Sequence, residues 1–307
     1  MFADLHQDIA FYFLTSLNPP PFDQDAESRQ SDLPKLRRAG ADLVFAAAFP
    51  FVNTYGSWSP DSRLVLEALK VYYAVSERHG VKIVEKRGDL YAPGLKFLIV
   101  LEGADVLHTA DDLRLLHKLG VRAVGLTWNL DNKWGHSCYS KRDRGLTPEG
   151  EELVEKAQRL GIVVDLAHAG MRTALDALAV ARRPVVISHA NARAVRPHPR
   201  NVDDAVLKAL ADNGGVIGLT FIPSTISETP SPRELAKHAA YIKEKFGAEL
   251  LAVGTDYLGI SKTPEGLESV DKVDRLFAAL REAGFTREEV EAVAWRNAYR
   301  VLREALD

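Results

Sequence analysis

Six side chains of the kinds that bind metals or move protons stand at or just past the ends of five short apolar runs. Phe2–Leu5 leads into His6-Gln7-Asp8, and Lys96–Leu101 ends on Glu102. Ile162–Leu166 is followed by His168, Pro184–Ile187 by His189, and Leu250–Gly254 by Asp256. His6 and Asp8 alternate around Gln7, so extended backbone directs both to one side. Neutral imidazole and carboxylate are ligands that zinc accepts. Three histidines and three carboxylates exceed what one tetrahedral ion with an open position needs. They suit two ions about 4 Å apart that share one bridging carboxylate. One such residue is ordinary strand-end polarity; six after five strands are what a metal centre requires.

Runs of this length, rich in β-branched residues and bounded by Gly or Pro, read as buried strands. Eight are present, ending near Leu5, Phe49, Leu101, Thr127, Leu166, Ser188, Thr220 and Gly254. The second is expected to span Ala41–Phe51, and Val81–Val84 is a short extended piece outside the main sheet. Helical segments separate nearly all of them. One starts at Ser59-Pro60-Asp61 and stops at Gly80, and another opens on Thr147-Pro148-Glu149, a capping hydroxyl with Pro at the first helical position. The last runs from the capping box at Thr286–Glu289 to Ala305. Eight such units predict an α/β fold, a (β/α)8 TIM-like barrel. Residues 1–307 are expected to form a single barrel domain with C-terminal helices. A doubly wound open sheet is the alternative, weakened by the lack of a Gly-rich phosphate fingerprint after the first strand. In either fold, ligands bind at the C-terminal edge of the strands, where all six residues stand. The polar, aromatic stretch from Trp128 to Arg144 is too long for a minimal connection and reads as a binding loop.

The bulk numbers are those of an ordinary globular protein. The 307 residues are 46% hydrophobic and 26% charged, with a net charge of −3 and both signs interspersed. That excludes a nucleic-acid footprint or a polybasic membrane patch. The one cysteine, Cys138, rules out an internal disulfide and fits a reducing compartment. The N-terminal MFADLHQDIA lacks the basic and long apolar regions of a signal peptide, and no apolar run reaches membrane-spanning length. The expectation is a soluble, cytoplasmic protein without nucleic-acid or membrane partners.

Read in order, the motifs resemble the renal-type (membrane) dipeptidase family of zinc peptidases. They are His6-Gln7-Asp8, Leu101-Glu102-Gly103, Val164-Asp165-Leu166-Ala167-His168, Ile187-Ser188-His189, Arg200-Asn201-Val202 and Gly254-Thr255-Asp256-Tyr257. The likeness continues through Pro264-Glu265-Gly266-Leu267 and Asn297-x-x-Arg300-Val301. It implies two zinc ions, with His6 and Asp8 on one, His168 and His189 on the other and Glu102 across both. It implies that Arg200, otherwise read as a surface loop arginine, holds the terminal carboxylate of a small dipeptide. Asp256 would shuttle a proton from the attacking water to the leaving amine.

Two departures stand out. Where mammalian members carry a substrate-polarising histidine after the fourth strand, this chain has Trp128. Oxyanion stabilisation then falls to a zinc, to Asn129 or to a loop residue, and Trp128 and Asn129 join the expected substrate contacts. The second acid of the last motif is replaced within Asp256-Tyr257-Leu258-Gly259. Dipeptides with a C-terminal D-residue are among the implied substrates, and a homodimer is left open. The alternatives are another metal-dependent barrel amidohydrolase, acting on N-acyl amino acids, cyclic amides or lactones, and a catalytically silent metal-binding relative. His-x-Asp in place of His-x-His, and no lysine at a strand end, argue against the first.

Overall fold

The computed structural model describes residues 1–307. All eight expected strands form: β1 (Phe2–Gln7), β2 (Ala41–Ala48), β3 (Lys96–Leu101), β4 (Val121–Gly125), β5 (Val163–Asp165), β6 (Val186–Ala190), β7 (Val216–Leu219) and β8 (Leu251–Val253). Each pairs in parallel with its neighbour in sequence, and Asp4 of β1 pairs with Val253 of β8 to close the ring. The architecture is a (β/α)8 barrel, and the open-sheet alternative is excluded by that closure.

Strand parity divides the core in two. Ala3, Leu5, Leu43, Phe45, Ala47, Leu98, Val100 and their counterparts on the later strands fill the barrel interior. Val44, Ala46, Phe97, Ile99 and Val124 face outward, into a larger cluster under the helices. Burial on both faces is why the strands read as continuous apolar runs instead of alternating ones. Ala298, Val301 and Leu302 of the last helix (Asn297–Ala305) join the interior cluster. Asn297 Nδ2 donates to the carbonyls of Ala248 and Leu251, at the start of β8. This helix therefore closes the N-terminal end of the barrel and leaves the C-terminal mouth for the site. No helix is long and apolar enough to cross a membrane.

Five elements differ from expectation. The second strand stops at Ala48, and Phe51–Thr54 pairs antiparallel with Ser57–Pro60 in a hairpin. Pro50 cannot donate to the barrel ladder, and Tyr55-Gly56, both at positive φ, make a two-residue turn. The following helix begins one turn later than expected, at Ser62, with Asp61 accepting from the Arg63 amide. A helix at Ile9–Thr15 follows β1 directly. The last helical segment is interrupted by a π turn over Ala292–Arg296. The piece at Lys82–Ile83 is not separate from the main sheet as expected: it pairs in parallel with the start of β3, as an edge strand beside the closed ring.

Candidate metal centre and catalytic pocket

The six strand-end residues meet at the mouth, each 9% exposed or less. His6 and Asp8 approach within 3.4 Å, but not by strand alternation: Asp8 has left the strand and begins the helix at Ile9. Its carboxylate occupies space that a Cβ on Gly259 would take, 2.3 Å from Oδ2, which explains the glycine of the last motif. Glu102 divides its two oxygens. Oε2 lies 3.4 Å from His6 Nε2, and Oε1 lies 3.1 Å from His168 Nε2 and 3.7 Å from His189 Nε2. Asp256 Oδ1 is 3.8 Å from His6 Nε2. His6, Glu102 and His189 offer ligand atoms within 4.8 Å of one another, as do His6, Asp8 and Asp256. His168 and Asp256 both hold left-handed backbone (φ 65° and 64°), a conformation that persists only where surrounding contacts fix it.

This donor set fits metal ions. His168 Nδ1 lies 2.7 Å from Asn129 Oδ1, so the proton sits on Nδ1 and Nε2 keeps its lone pair. Ser188 Oγ holds His189 Nδ1 at 2.8 Å. The two Nε2 atoms then face each other at 2.9 Å beside a carboxylate oxygen. Both ring nitrogens of His6 are buried with no hydrogen-bond partner. Imidazole and carboxylate groups crowded together and left unpartnered are costly to bury, and a cation removes that cost. Burial, reinforced by Arg200, pushes His168 down to about 3, and burial beside His6 holds His189 well below the usual range. Both are therefore neutral, the form that ligates. Burial pushes His6 down as well, but Glu102 and Asp8 outweigh it and hold that imidazole well above its ordinary value. Burial and the neighbouring Asp8 hold Asp256 well above the carboxylate range.

Two further carboxylates align these strand ends. Asp4 accepts from the amides of His6 and Thr255 and from the Thr255 hydroxyl, tying β1 to the strand end that carries Asp256. Asp165 accepts from the amides of Ala167 and Ser188, tying the end that carries His168 to the one that carries His189. Sequence reasoning assigned neither a role. The available signal was an Asp two residues before His6 and three residues before His168. At the crossing of β6 and β8, a Cβ on Gly254 would lie 1.8 Å from the Ser188 carbonyl oxygen, so only glycine lets these backbones approach.

Arg200 is 6% exposed, not a surface residue. Its Nη2 donates to the His189 carbonyl at 3.1 Å, and no carboxylate pairs with it. It lines a cavity of about 240 Å³ together with Asp8, Glu102, His168 and Asp256. A buried guanidinium without an anion is poised to accept one. Trp128 and Asn129 line the same cavity, with the Asn129 carbonyl engaged by His168. The Trp128–Arg144 loop is anchored by Trp134 Nε1 donating to Ala104 O and Cys138 N donating to His168 O. His136 pairs with Asp131 at 3.2 Å in a neighbouring groove and stands outside this cavity.

Asp105 lies in the short helical turn Ala104–Val106 that follows β3, its Oδ2 buried and unpartnered. Burial pushes its carboxyl up to about 6. The folded chain therefore keeps a proton that the unfolded chain loses near pH 4. Stability falls as pH rises from there through 6, and the deficit is complete above it. Asp105→Asn is expected to be about 1–3 kcal/mol more stable than the parent at pH 8, and within about 0.5 kcal/mol of it at pH 4. Urea denaturation at the two pH values reads the difference; an equal effect at both would show that Oδ2 is solvated.

The chain resembles characterised and solved proteins along its length. It is 36% identical over 216 residues to dipeptidase tcpJ of Claviceps purpurea, which covers 67% of this chain and 51% of that protein. It is 28% identical to dipeptidase verJ of Clonostachys rogersoniana, over 97% of this chain and 82% of that one. The chain thus spans about half the length of the first relative and most of the second. A metallopeptidase structure from Rhodobacter sphaeroides, liganded with a phosphinate mimic of L-Ala-D-Ala, superposes with a TM-score of 0.87 at 22% identity, over 99% of both chains. An amidohydrolase from Pseudomonas aeruginosa superposes at 0.79 and 22%, over 89% of this chain and 91% of its own. These two share the barrel. With the family model matched across residues 1–307, the chain belongs to the membrane dipeptidase family, peptidase family M19.

Proposed function

We propose that the chain is a zinc-dependent dipeptidase whose substrates include dipeptides with a C-terminal D-residue. The observation that carries this reading is one cavity holding both a buried cluster of imidazole and carboxylate groups, with the His6 ring nitrogens unpartnered, and a buried guanidinium that lacks an anion. His6 and Asp8 would hold one ion and His168 and His189 the other, with the two oxygens of Glu102 turned to the two groups. Two zinc ions bound there would acidify a shared water and polarise the amide carbonyl. Arg200 takes the substrate's terminal carboxylate in a bidentate pair, which fixes the amide over the cluster. Asp256 accepts the proton of the attacking water and returns it to the departing amine nitrogen. Asn129 keeps His168 in its ligating tautomer. The phosphinate mimic of L-Ala-D-Ala bound by the Rhodobacter protein supports a D-residue on the leaving side.

The deciding experiment is amino-acid release from L-Ala-D-Ala and L-Ala-L-Ala by zinc-loaded protein. Release is expected to vanish with a chelator and return with zinc. Arg200→Met is expected to raise KM at least ~10-fold, since a charge-assisted pair to the carboxylate is lost. With metal bound and no release from any dipeptide, N-acyl amino acids and lactones become the substrates to assay.

A further inference from the structure

The two halves of the barrel mouth present different chemistry to the cavity. From the loops after β6 and β7 come His198, Arg200 and Ser224, with Ile222 as the one apolar side chain. From β1, β2 and β4 come Phe11, Phe49, Trp58 and Trp128. The hairpin after β2 folds back to bring Trp58 over the mouth, where its ring centroid is 5.1 Å from that of Trp128 and 5.8 Å from that of Phe49. Phe49 and Trp128 meet edge to face at 5.1 Å, and Phe11 meets Phe49 at 5.3 Å. This is a continuous aromatic wall. The acids of the cavity, Asp8, Glu102 and Asp256, all belong to the ligand cluster, which meets Arg200 at the His189 carbonyl and the wall where the His168 and Trp128 rings lie 6.2 Å apart. The wall itself contributes no charged group.

A dipeptide has one residue, about 3.8 Å of chain, between its carboxylate side and its scissile amide. With the carboxylate on Arg200 and the amide over the cluster, the acyl-side residue extends beyond the cluster, toward the opposite half of the mouth. We infer that this residue carries a large apolar or aromatic side chain, which docks on the wall formed by Phe49, Trp58 and Trp128. The inference rests on the dipeptidase reading and adds the substrate class to it. An apolar side chain gains by leaving water against these rings, and an aromatic one gains further from edge-to-face contact. A charged side chain would lose its water there without meeting a partner.

The test uses zinc-loaded full-length protein and the series Phe-, Leu-, Ala-, Lys- and Asp-D-Ala. The kcat/KM for Phe-D-Ala is expected to exceed that for Ala-D-Ala by about 10–100-fold, with Lys and Asp below Ala. Trp58→Ala is expected to shrink the Phe/Ala ratio at least fivefold, and Trp58→Phe to keep most of it. Phosphinate dipeptide mimics with Phe or Ala on the acyl side give the same ratio as Kd by calorimetry, independently of turnover. Equal kcat/KM across the series, or a Phe/Ala ratio unmoved by Trp58→Ala in both measurements, overturns the inference and leaves the dipeptidase reading standing. No hydrolysis of any member, with zinc bound, overturns both.

Discussion

Asp256→Asn is expected to lower kcat by about 10²–10⁴-fold while the protein keeps its full complement of metal. The amide is nearly isosteric with the carboxylate, so the left-handed turn at Asp256 and the packing of Gly259 against Asp8 should survive the change. What is lost is the ability to take a proton from water and deliver it to nitrogen. Asp256 lines the cavity 3.8 Å from His6, beside the cluster over which the amide would sit. Metal analysis of the dialysed variant and steady-state kinetics on one dipeptide separate the possibilities. Activity near that of the parent would falsify the shuttle role. Loss of metal alongside loss of turnover would make Asp256 a ligand, as its place with His6 and Asp8 allows.

Glu102→Gln is expected to be the more severe change, with activity below about one thousandth of the parent's and metal affinity reduced at least ~100-fold. Replacing groups that merely support a ligand already costs 10–100-fold in affinity, and Glu102 touches both sets of ligands directly. Its carboxyl is held below its ordinary range: burial raises it, but His6 and His168 together outweigh burial. A glutamine keeps the shape and supplies one oxygen in place of two, without charge. Titration of the metal-stripped protein against a competing chelator gives the affinity and the stoichiometry. Two ions bound at parental affinity would show that Glu102 is not shared between them.

The barrel was legible because each of its strands is buried on both faces. Such strands leave long apolar runs, and the runs fell at intervals that only alternating helices could fill. The candidate ligands were legible because a metal centre of this kind demands His, Asp and Glu at strand ends. The hairpin at Phe51–Pro60 was not. Its first residues continue the apolar run of the second strand, and its exposed second half carries no periodic signal. The helix at Ile9–Thr15 was hidden for a related reason: it has no capping side-chain bond at its start and only two buried residues.

The sequence by itself determined the strand count, the edge on which the site lies and the identity of the candidate ligands. Those depend on local pattern and on side-chain chemistry, which a chain carries in its order. Tertiary structure decided the rest. Asp4 and Asp165 look like any strand-end acids until neighbouring strands bring the amides of Thr255 and Ser188 to them. Arg200 is a loop arginine until the loop folds it into the mouth, bonded to the His189 carbonyl and paired with no carboxylate. Trp58 and Trp128 stand 70 residues apart in sequence, yet their rings are 5.1 Å apart. Their meeting depends on a hairpin and on ring closure, both fixed by long-range backbone pairing that no local pattern encodes.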